Sequence, residues 1–172
     1  MALDPIKISD YDELAAEPAA GDLFVIVDIS EAADIDKTKH IKYSNLVPTR
    51  HTVGVPVTSP LQLVTTGDGK AYLPIPTDYD GMNLVDAQAS VSDPASAAIV
   101  TVQIHNLTGA ADMLTTRITI DATEYTSYTA ANASVIDAAN DDVSEGDMLR
   151  FDVDVDGDDA KGLTILCSFE EP

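Results

Sequence analysis

The sequence predicts an all-β protein: an antiparallel, jelly-roll-like β-sandwich of about eight strands with a small N-terminal β appendage. From residue 61 onward, short runs in which aliphatic residues alternate with Thr, Asp and Gln recur between turn signals, as expected of half-buried strands. The apolar fraction is 45%, yet there is no Trp and there are three Phe and six Tyr. The core must therefore consist of small and β-branched residues, as in thin sheet-on-sheet packing.

Residues 1–50 are distinct in character and are predicted to form an N-terminal docking module. The apolar run at 23–29, LFVIVDI, follows a Gly-Asp turn signal and predicts a strand. A second strand is predicted within KTKHIKYSNLV (37–47), where apolar residues alternate with lysines. Two strands do not bury a sufficient core alone, so we expect this module to pack on the main domain or on a partner.

Prolines between residues 48 and 60 predict a semi-rigid connector at 51–60, followed by a sandwich domain at 61–172. The Gly- and Asp-rich sequence at 67–70 predicts a hairpin turn between the strands LQLVTT and AYLPIP. A short strand at 134–136 and a short helix at 130–139 are alternatives for a less regular stretch. The remaining strands are predicted within NLVDAQASV, AAIVTVQIHNL, TTRITIDA, MLRFDVDVD and KGLTILCSF.

The net charge of −21 excludes several classes of partner. Nucleic acid requires Lys and Arg to displace phosphate counterions, and an anionic membrane surface requires the same positive charge. Residues 51–172 hold twenty acids against four Lys and Arg, whereas residues 1–50 hold ten against five. Such an acidic domain favours solubility, or adaptation to a salty medium.

No arrangement of residues predicts catalysis or a cofactor, so we expect that the protein is not an enzyme. The three His are scattered, and no GxSxG, HExxH or glycine-rich phosphate loop is present. The acid pairs Asp141-Asp142 and Glu170-Glu171 lie in polar stretches rather than facing each other across a predicted cleft. Cys167 is the single cysteine and lies in an alternating run, which predicts a buried thiol.

The run RFDVDVDG (150–157) has two interpretations. Its acids and glycine match the first positions of a calcium loop, but Leu163 stands where that loop needs a bidentate Glu. As a strand, it predicts Phe151, Val153 and Val155 in the core and Asp152, Asp154 and Asp156 on the outer face. We favour the strand, which leaves a weaker calcium candidate at the following turn, formed by Asp156, Asp158 and Asp159.

Two surface features are candidate contacts. Lys37, Lys39 and Lys42 form the one local basic cluster, which either protects an exposed strand edge or docks on an acidic partner. Tyr125 and Tyr128, in TEYTSYT, either cap the sandwich core or offer an aromatic platform for a glycan.

Two stretches resemble proteins of tailed bacteriophages. The first segment is similar to a short N-terminal module of phage virion proteins, and the resemblance rests on Ile8, Ser9, Gly21, Asp22, Asp28, Ser30, Thr38, Lys39, Ile41, Asn45 and Leu46. The second stretch is similar to a β-sandwich domain of phage structural proteins through DGMNLV, QIHNLT, DMLTTRITID, NDDVSEGD and DVDVDG…KGL.

The resemblance implies a virion structural protein that is assembled in the cytoplasm of a bacterial host. One expectation is a capsid decoration or cement protein that docks on the major capsid protein through residues 1–50 and forms a trimer; the short chain without a long shaft repeat favours it over a full fibre. The alternative is a short tail fibre or receptor-binding module that contacts host glycan. The N-terminal sequence lacks the basic and apolar regions of a secretory signal, and no apolar run reaches the length of a membrane span, so no membrane association is predicted.

Overall fold

The computed structural model describes residues 50–172 and, before them, the backbone of Leu23–Val27 (β1) and Thr38–Lys42 (β2). The chain divides into two units at Thr49 and Arg50. Strands β1 and β2 pair in antiparallel register, with Leu23 opposite Lys42 and Val27 opposite Thr38. Both strands predicted in the N-terminal module are therefore present.

Residues 50–172 contain ten further strands and two short 3-10 turns, Thr77–Tyr79 and Ser127–Thr129. The strands are β3 Arg50–Pro56, β4 Gly67–Pro74, β5 Asn83–Ser90, β6 Val100–Asn106, β7 Ala111–Asp112, β8 Leu114–Thr116, β9 Ile118–Ile120, β10 Val135–Ile136, β11 Met148–Asp156 and β12 Thr164–Glu170.

The strands form two main antiparallel sheets. One has the order β3-β12-β5, and the other has β4-β11-β6, with β7 and β9 both paired to β6. Successive strands from β3 to β6 alternate between the two sheets, and β11 and β12 are their central strands. This alternation is the jelly-roll order, so the prediction of an all-β sandwich is confirmed. Beside β5, two isolated bridges, from Asn83 to Asp142 and from Ser90 to Thr126, stand where a fourth strand would complete the smaller sheet.

The core lies between the two sheets and is built mainly of aliphatic residues. Phe151 and Phe169 are its largest fully buried side chains, one on each central strand. The smaller sheet contributes Val55, Leu84, Ala87, Ala89, Ile165, Cys167 and Phe169. The larger sheet contributes Val100, Val102, Ile104, Ile118, Ile120, Leu149, Phe151 and Val153.

Several predicted boundaries differ from the structure. Residues 51–56 of the predicted connector belong to edge strand β3, where Pro56 is tolerated because its position at the strand end needs no ladder donor. The Gly- and Asp-rich sequence 67–70 lies inside β4 rather than in a hairpin turn. The predicted helix at 130–139 does not form, and the short strand expected there is β10.

The side chains of β11 are not divided between core and solvent as the sequence predicts. Phe151 and Val153 are buried as predicted, but Val155 is 39% exposed and Asp152 is buried. The register on β6 shifts between Val153 and Val155, so one extra residue on β11 reverses the in-and-out alternation. Val155 therefore lies opposite Thr101 rather than on the face of Val153.

Candidate functional site

A row of four polar and aromatic side chains crosses the outer face of the larger sheet. Tyr72 on β4 is paired with Arg150 on β11, Arg150 with His105 on β6, and His105 with Asp112 on β7. Directly paired residues of antiparallel strands project to the same side, so the four side chains are neighbours. We call these four residues the outer-face row. Arg150 and Phe151 are adjacent in β11, so the row faces away from the core.

Asp152, two residues after Arg150 on β11, fixes the position of the Arg150 side chain. Its carboxylate accepts hydrogen bonds from Arg150 Nε at 2.8 Å and Nη2 at 2.7 Å, a bidentate pair, and from the Gly69 N–H at 2.8 Å. Asp152 is only 6% exposed, so the prediction that its carboxylate is solvated is wrong. Its partners explain the difference, because a buried carboxylate requires compensating donors. The hydrogen bond to Asp152 also raises the pKa of Arg150, which keeps the guanidinium charged.

Gly69 shapes the other end of the row. It has a φ of +67°, and a Cβ there would overlap the hydroxyl of Tyr72. The register between β4 and β11 is irregular at this point, since Phe151 pairs with Ala71 and Val153 with Gly67. At this irregularity the Gly69 N–H reaches the Asp152 carboxylate. The Tyr72 side chain, which is 53% exposed, lies against Gly69.

His105 and Asp112 form the far end of the row. Nδ1 of His105 lies 2.7 Å from Oδ1 of Asp112, which makes Nδ1 the protonated donor. In the neutral ring, Nε2 is then a hydrogen-bond acceptor. The row thus combines an aromatic ring, a fixed guanidinium, an oriented imidazole and a carboxylate, which is a set of groups suited to binding hydroxyl-rich molecules.

Separate from the outer-face row, an open pocket of about 500 Å³ lies at one end of the sandwich. Its lining includes Asn106, Thr108, Asn140 and Asp147. The Asn106 Oδ1 accepts hydrogen bonds from the backbone N–H groups of Thr108 and Gly109, and its Nδ2 donates to Asp147 at 3.0 Å. Asn106 is 6% exposed, so its amide is committed to holding these loops together.

Desolvation raises the pKa of Asp147, but hydrogen bonds from the Ser144 N–H and from the side chains of Thr108 and Asn106 outweigh it, and the net pKa is lowered. A lowered carboxyl pKa in the folded state stabilises the protein above the unfolded-state pKa, near pH 4. Asp147→Asn is expected to lower stability at pH 7 by at most about 1 kcal/mol, since the carboxylate is partly solvated. The difference from wild type should disappear as the pH falls through the folded pKa, as measured by thermal unfolding from pH 7 to pH 2.5. A difference that persists at the lowest pH would contradict this assignment.

The predicted calcium candidates lie at the turn after β11, where two of their carboxylates accept backbone hydrogen bonds. Asp156 Oδ1 accepts the Asp158 N–H at 3.1 Å, and Asp159 Oδ1 accepts the Ser96 N–H at 2.8 Å. The bond from Ser96 lowers the pKa of Asp159. Among the residues that the structure describes, no group of three or more His, Cys, Asp or Glu is arranged to hold a metal ion.

Tyr125 and Tyr128 are 60% and 65% exposed, so they do not cap the core. They flank a turn that is fixed to β5 through Ser127, whose Oγ accepts the Ala89 N–H at 2.8 Å and donates to Gln88 Oε1 at 2.6 Å.

The basic cluster is described in part. Lys39 and Lys42 lie in β2, opposite Ile26 and Leu23, whereas Lys37 lies outside the described residues.

Cys167 is fully buried on β12, as predicted, and burial, with a smaller contribution from Asp86, raises the pKa of its thiol to about 12. Because only the thiolate is nucleophilic, we expect no reaction with Ellman's reagent at pH 8 in the folded protein. One equivalent of thiol should appear when guanidinium chloride unfolds the chain. Rapid labelling under native conditions would show that β12 opens locally.

Comparison of the chain with protein-family models, with curated proteins and with solved structures finds no match. Within the described segments, no helix is long and apolar enough to cross a membrane.

The sequence does not reveal the outer-face row, because its members are up to 78 positions apart, from Tyr72 to Arg150, and only the strand register brings them together.

Proposed function

We propose that this protein is a structural component of a bacteriophage virion, a capsid decoration or cement protein. In this proposal the N-terminal module docks on the major capsid protein, and the sandwich faces the medium or bridges neighbouring capsomers as part of a homotrimer. The proposal starts from the resemblance of sequence motifs in both parts of the chain to those of phage virion proteins. The observation that supports it best is the division of charge between the two units.

The negative charge of the sandwich is not interrupted by a basic patch, because most of its Lys and Arg side chains are paired with carboxylates. Arg117 Nε lies 2.7 Å from Asp154, Lys161 Nζ lies 2.7 Å from Asp93, and Arg50 and Arg150 are paired likewise. Lys70 is the exception among the Lys and Arg of residues 50–172, since it donates to the Thr65 hydroxyl. An outward field of this sign suits a particle surface, where like charge keeps virions apart.

The lysines of the N-terminal unit supply the opposite sign. Lys39 and Lys42 belong to β2, and Lys37 directly precedes it. A basic strand would be attracted to an acidic patch on the shell while the acidic sandwich is repelled from it, and both effects weaken as salt rises.

The test uses labelled full-length protein and expanded empty capsids of the parental phage. The wild type is expected to bind to saturation at a copy number that matches the capsomers. The triple variant Lys37→Glu, Lys39→Glu, Lys42→Glu should fail to bind, whereas Lys70→Glu, a single charge reversal on the sandwich, should bind normally. Absence of wild-type binding to the capsids would overturn the proposal.

A second candidate function is a short tail fibre or receptor-binding module, anchored by the same N-terminal unit. The exposure of Tyr125 and Tyr128 on a turn fixed to β5 favours it, since exposed aromatic rings stack on sugar rings. Saturable binding to host cells, together with a copy number that matches the tail rather than the capsomers, would select this function over decoration.

A further inference from the structure

We infer that the outer-face row, Tyr72, Arg150, His105 and Asp112, is a binding site for a neutral oligosaccharide. This inference rests on the second candidate function and assigns it a site on the larger sheet, away from the turn of Tyr125 and Tyr128. It follows from the chemistry of the row, the way in which the row is held, and the charge around it.

The row supplies complementary groups for sugar hydroxyls, each of which both donates and accepts a hydrogen bond. Asp152 occupies two of the five N–H groups of Arg150, so the others can donate to a ligand, while Asp112 and, in the Nδ1-protonated tautomer, Nε2 of His105 can accept. Tyr72 adds a half-exposed ring at one end, where the apolar face of a sugar ring can stack. The four strands lie side by side, so the row extends over about 14 Å. That length fits a short oligosaccharide lying across the strands better than a single sugar.

The row is fixed before any ligand arrives. Asp152 holds Arg150 by two hydrogen bonds, Asp112 holds His105 by one, and Gly69 provides the surface against which Tyr72 rests. Side chains that are already ordered lose little entropy on binding, which favours affinity. The side chains of Arg150 and His105 remain 23% and 22% exposed, so a ligand on the sheet face reaches them.

Charge selects a neutral ligand. Asp152 already neutralises Arg150, and Asp68, 76% exposed, lies 3.8 Å from the same guanidinium. Asp112 adds another carboxylate at the far end. An acidic sugar would therefore meet an excess of negative charge, whereas a neutral sugar meets paired donors and acceptors.

The turn of Tyr125 and Tyr128 is less suited to this role. Several polar side chains near it are already hydrogen-bonded: Ser127 binds Gln88 and the Ala89 N–H, and Thr129 donates to Glu124. They leave fewer groups to orient a sugar, so the turn offers aromatic surface without the fixed polar partners of the row.

The experiment screens full-length protein on an array of neutral and acidic oligosaccharides and then measures affinity for the neutral ligands found. Tyr72→Ala and His105→Ala are each expected to weaken binding about tenfold or more, by analogy with exposed anchor residues in binding sites. The double variant Tyr125→Ala, Tyr128→Ala should bind as the wild type does. Thermal unfolding of each variant verifies that the fold is intact.

The outcomes separate the inference from the function on which it rests. Loss of binding in the Tyr125 and Tyr128 variant alone would overturn the assignment of the site and leave a glycan-binding module. Preference for acidic oligosaccharides would overturn the assignment of a neutral ligand. Failure of the wild type to bind any array glycan and host cells would overturn both the second candidate function and the site.

Discussion

Replacing Phe169 with alanine is expected to destabilise the sandwich by about 3–5 kcal/mol, and Phe151→Ala should have an effect of similar size. These two rings are the phenylalanines of the described sandwich, and each is fully buried on the central strand of its sheet. Around them the core consists mainly of Ala, Val, Ile and Leu, and a close-packed core fills the space that either ring leaves only in part.

Phe169 should be the more sensitive of the two positions. Its ring meets Tyr79 edge to face at 5.2 Å and 84°, and Tyr79 in turn lies 5.2 Å from the His51 ring. Such an aromatic contact adds about 0.5–1.5 kcal/mol beyond the buried area. Losing it also frees the turn Thr77–Tyr79 from its contact with β12.

Urea unfolding of the wild type and of both alanine variants measures these effects. Phe151→Leu and Phe169→Leu are the controls, because they keep most of the apolar volume and should cost much less than the alanine changes. If either alanine variant lowers the free energy of unfolding by less than about 1 kcal/mol, the core collapses around the cavity and is not closely packed.

The alternation of apolar and polar residues predicts the strands of the sandwich well, because a sheet buried on one face imposes a period of two on the sequence. It fails where the ladder is irregular. Val155 is exposed because the bulge after Val153 reverses the alternation, and the residues 67–70 extend β4 although their composition is typical of a turn. A bulge depends on the partner strand, so the residues of one strand alone do not reveal it.

The candidate site was less predictable than the fold for a related reason. Tyr72, His105 and Arg150 come from three strands, and their adjacency depends on the register that pairs Arg150 with both of the others. Asp152 looks in sequence like one of three equivalent surface acids, yet it alone of the three accepts the Gly69 N–H and binds Arg150 through both oxygens. By contrast, Tyr125 and Tyr128 were identified in sequence, and their exposure excludes the core-capping alternative.

Gly157→Ala is expected to destabilise the protein by about 2–5 kcal/mol, the sum of left-handed backbone strain and overpacking. Gly157 has a φ of +72°, and a Cβ there would lie 2.8 Å from Val100 Cγ2 and 2.9 Å from the Ala95 Cβ. Both neighbours are buried, so the added methyl group has to displace the core at this end of the sandwich.

Gly146→Ala is the matched control, and comparing the two variants by urea unfolding separates packing from backbone strain. Gly146 also has a positive φ, +85°, but a Cβ there meets nothing within 4 Å, so its loss should be only about 1–2 kcal/mol. Equal losses in the two variants would contradict the packing explanation.

Gly157 also occupies the glycine position of the calcium loop that Asp152, Asp154 and Asp156 would begin. Because its contacts with Val100 and Ala95 already account for the residue, the difference between the variants should be the same in calcium and in EDTA.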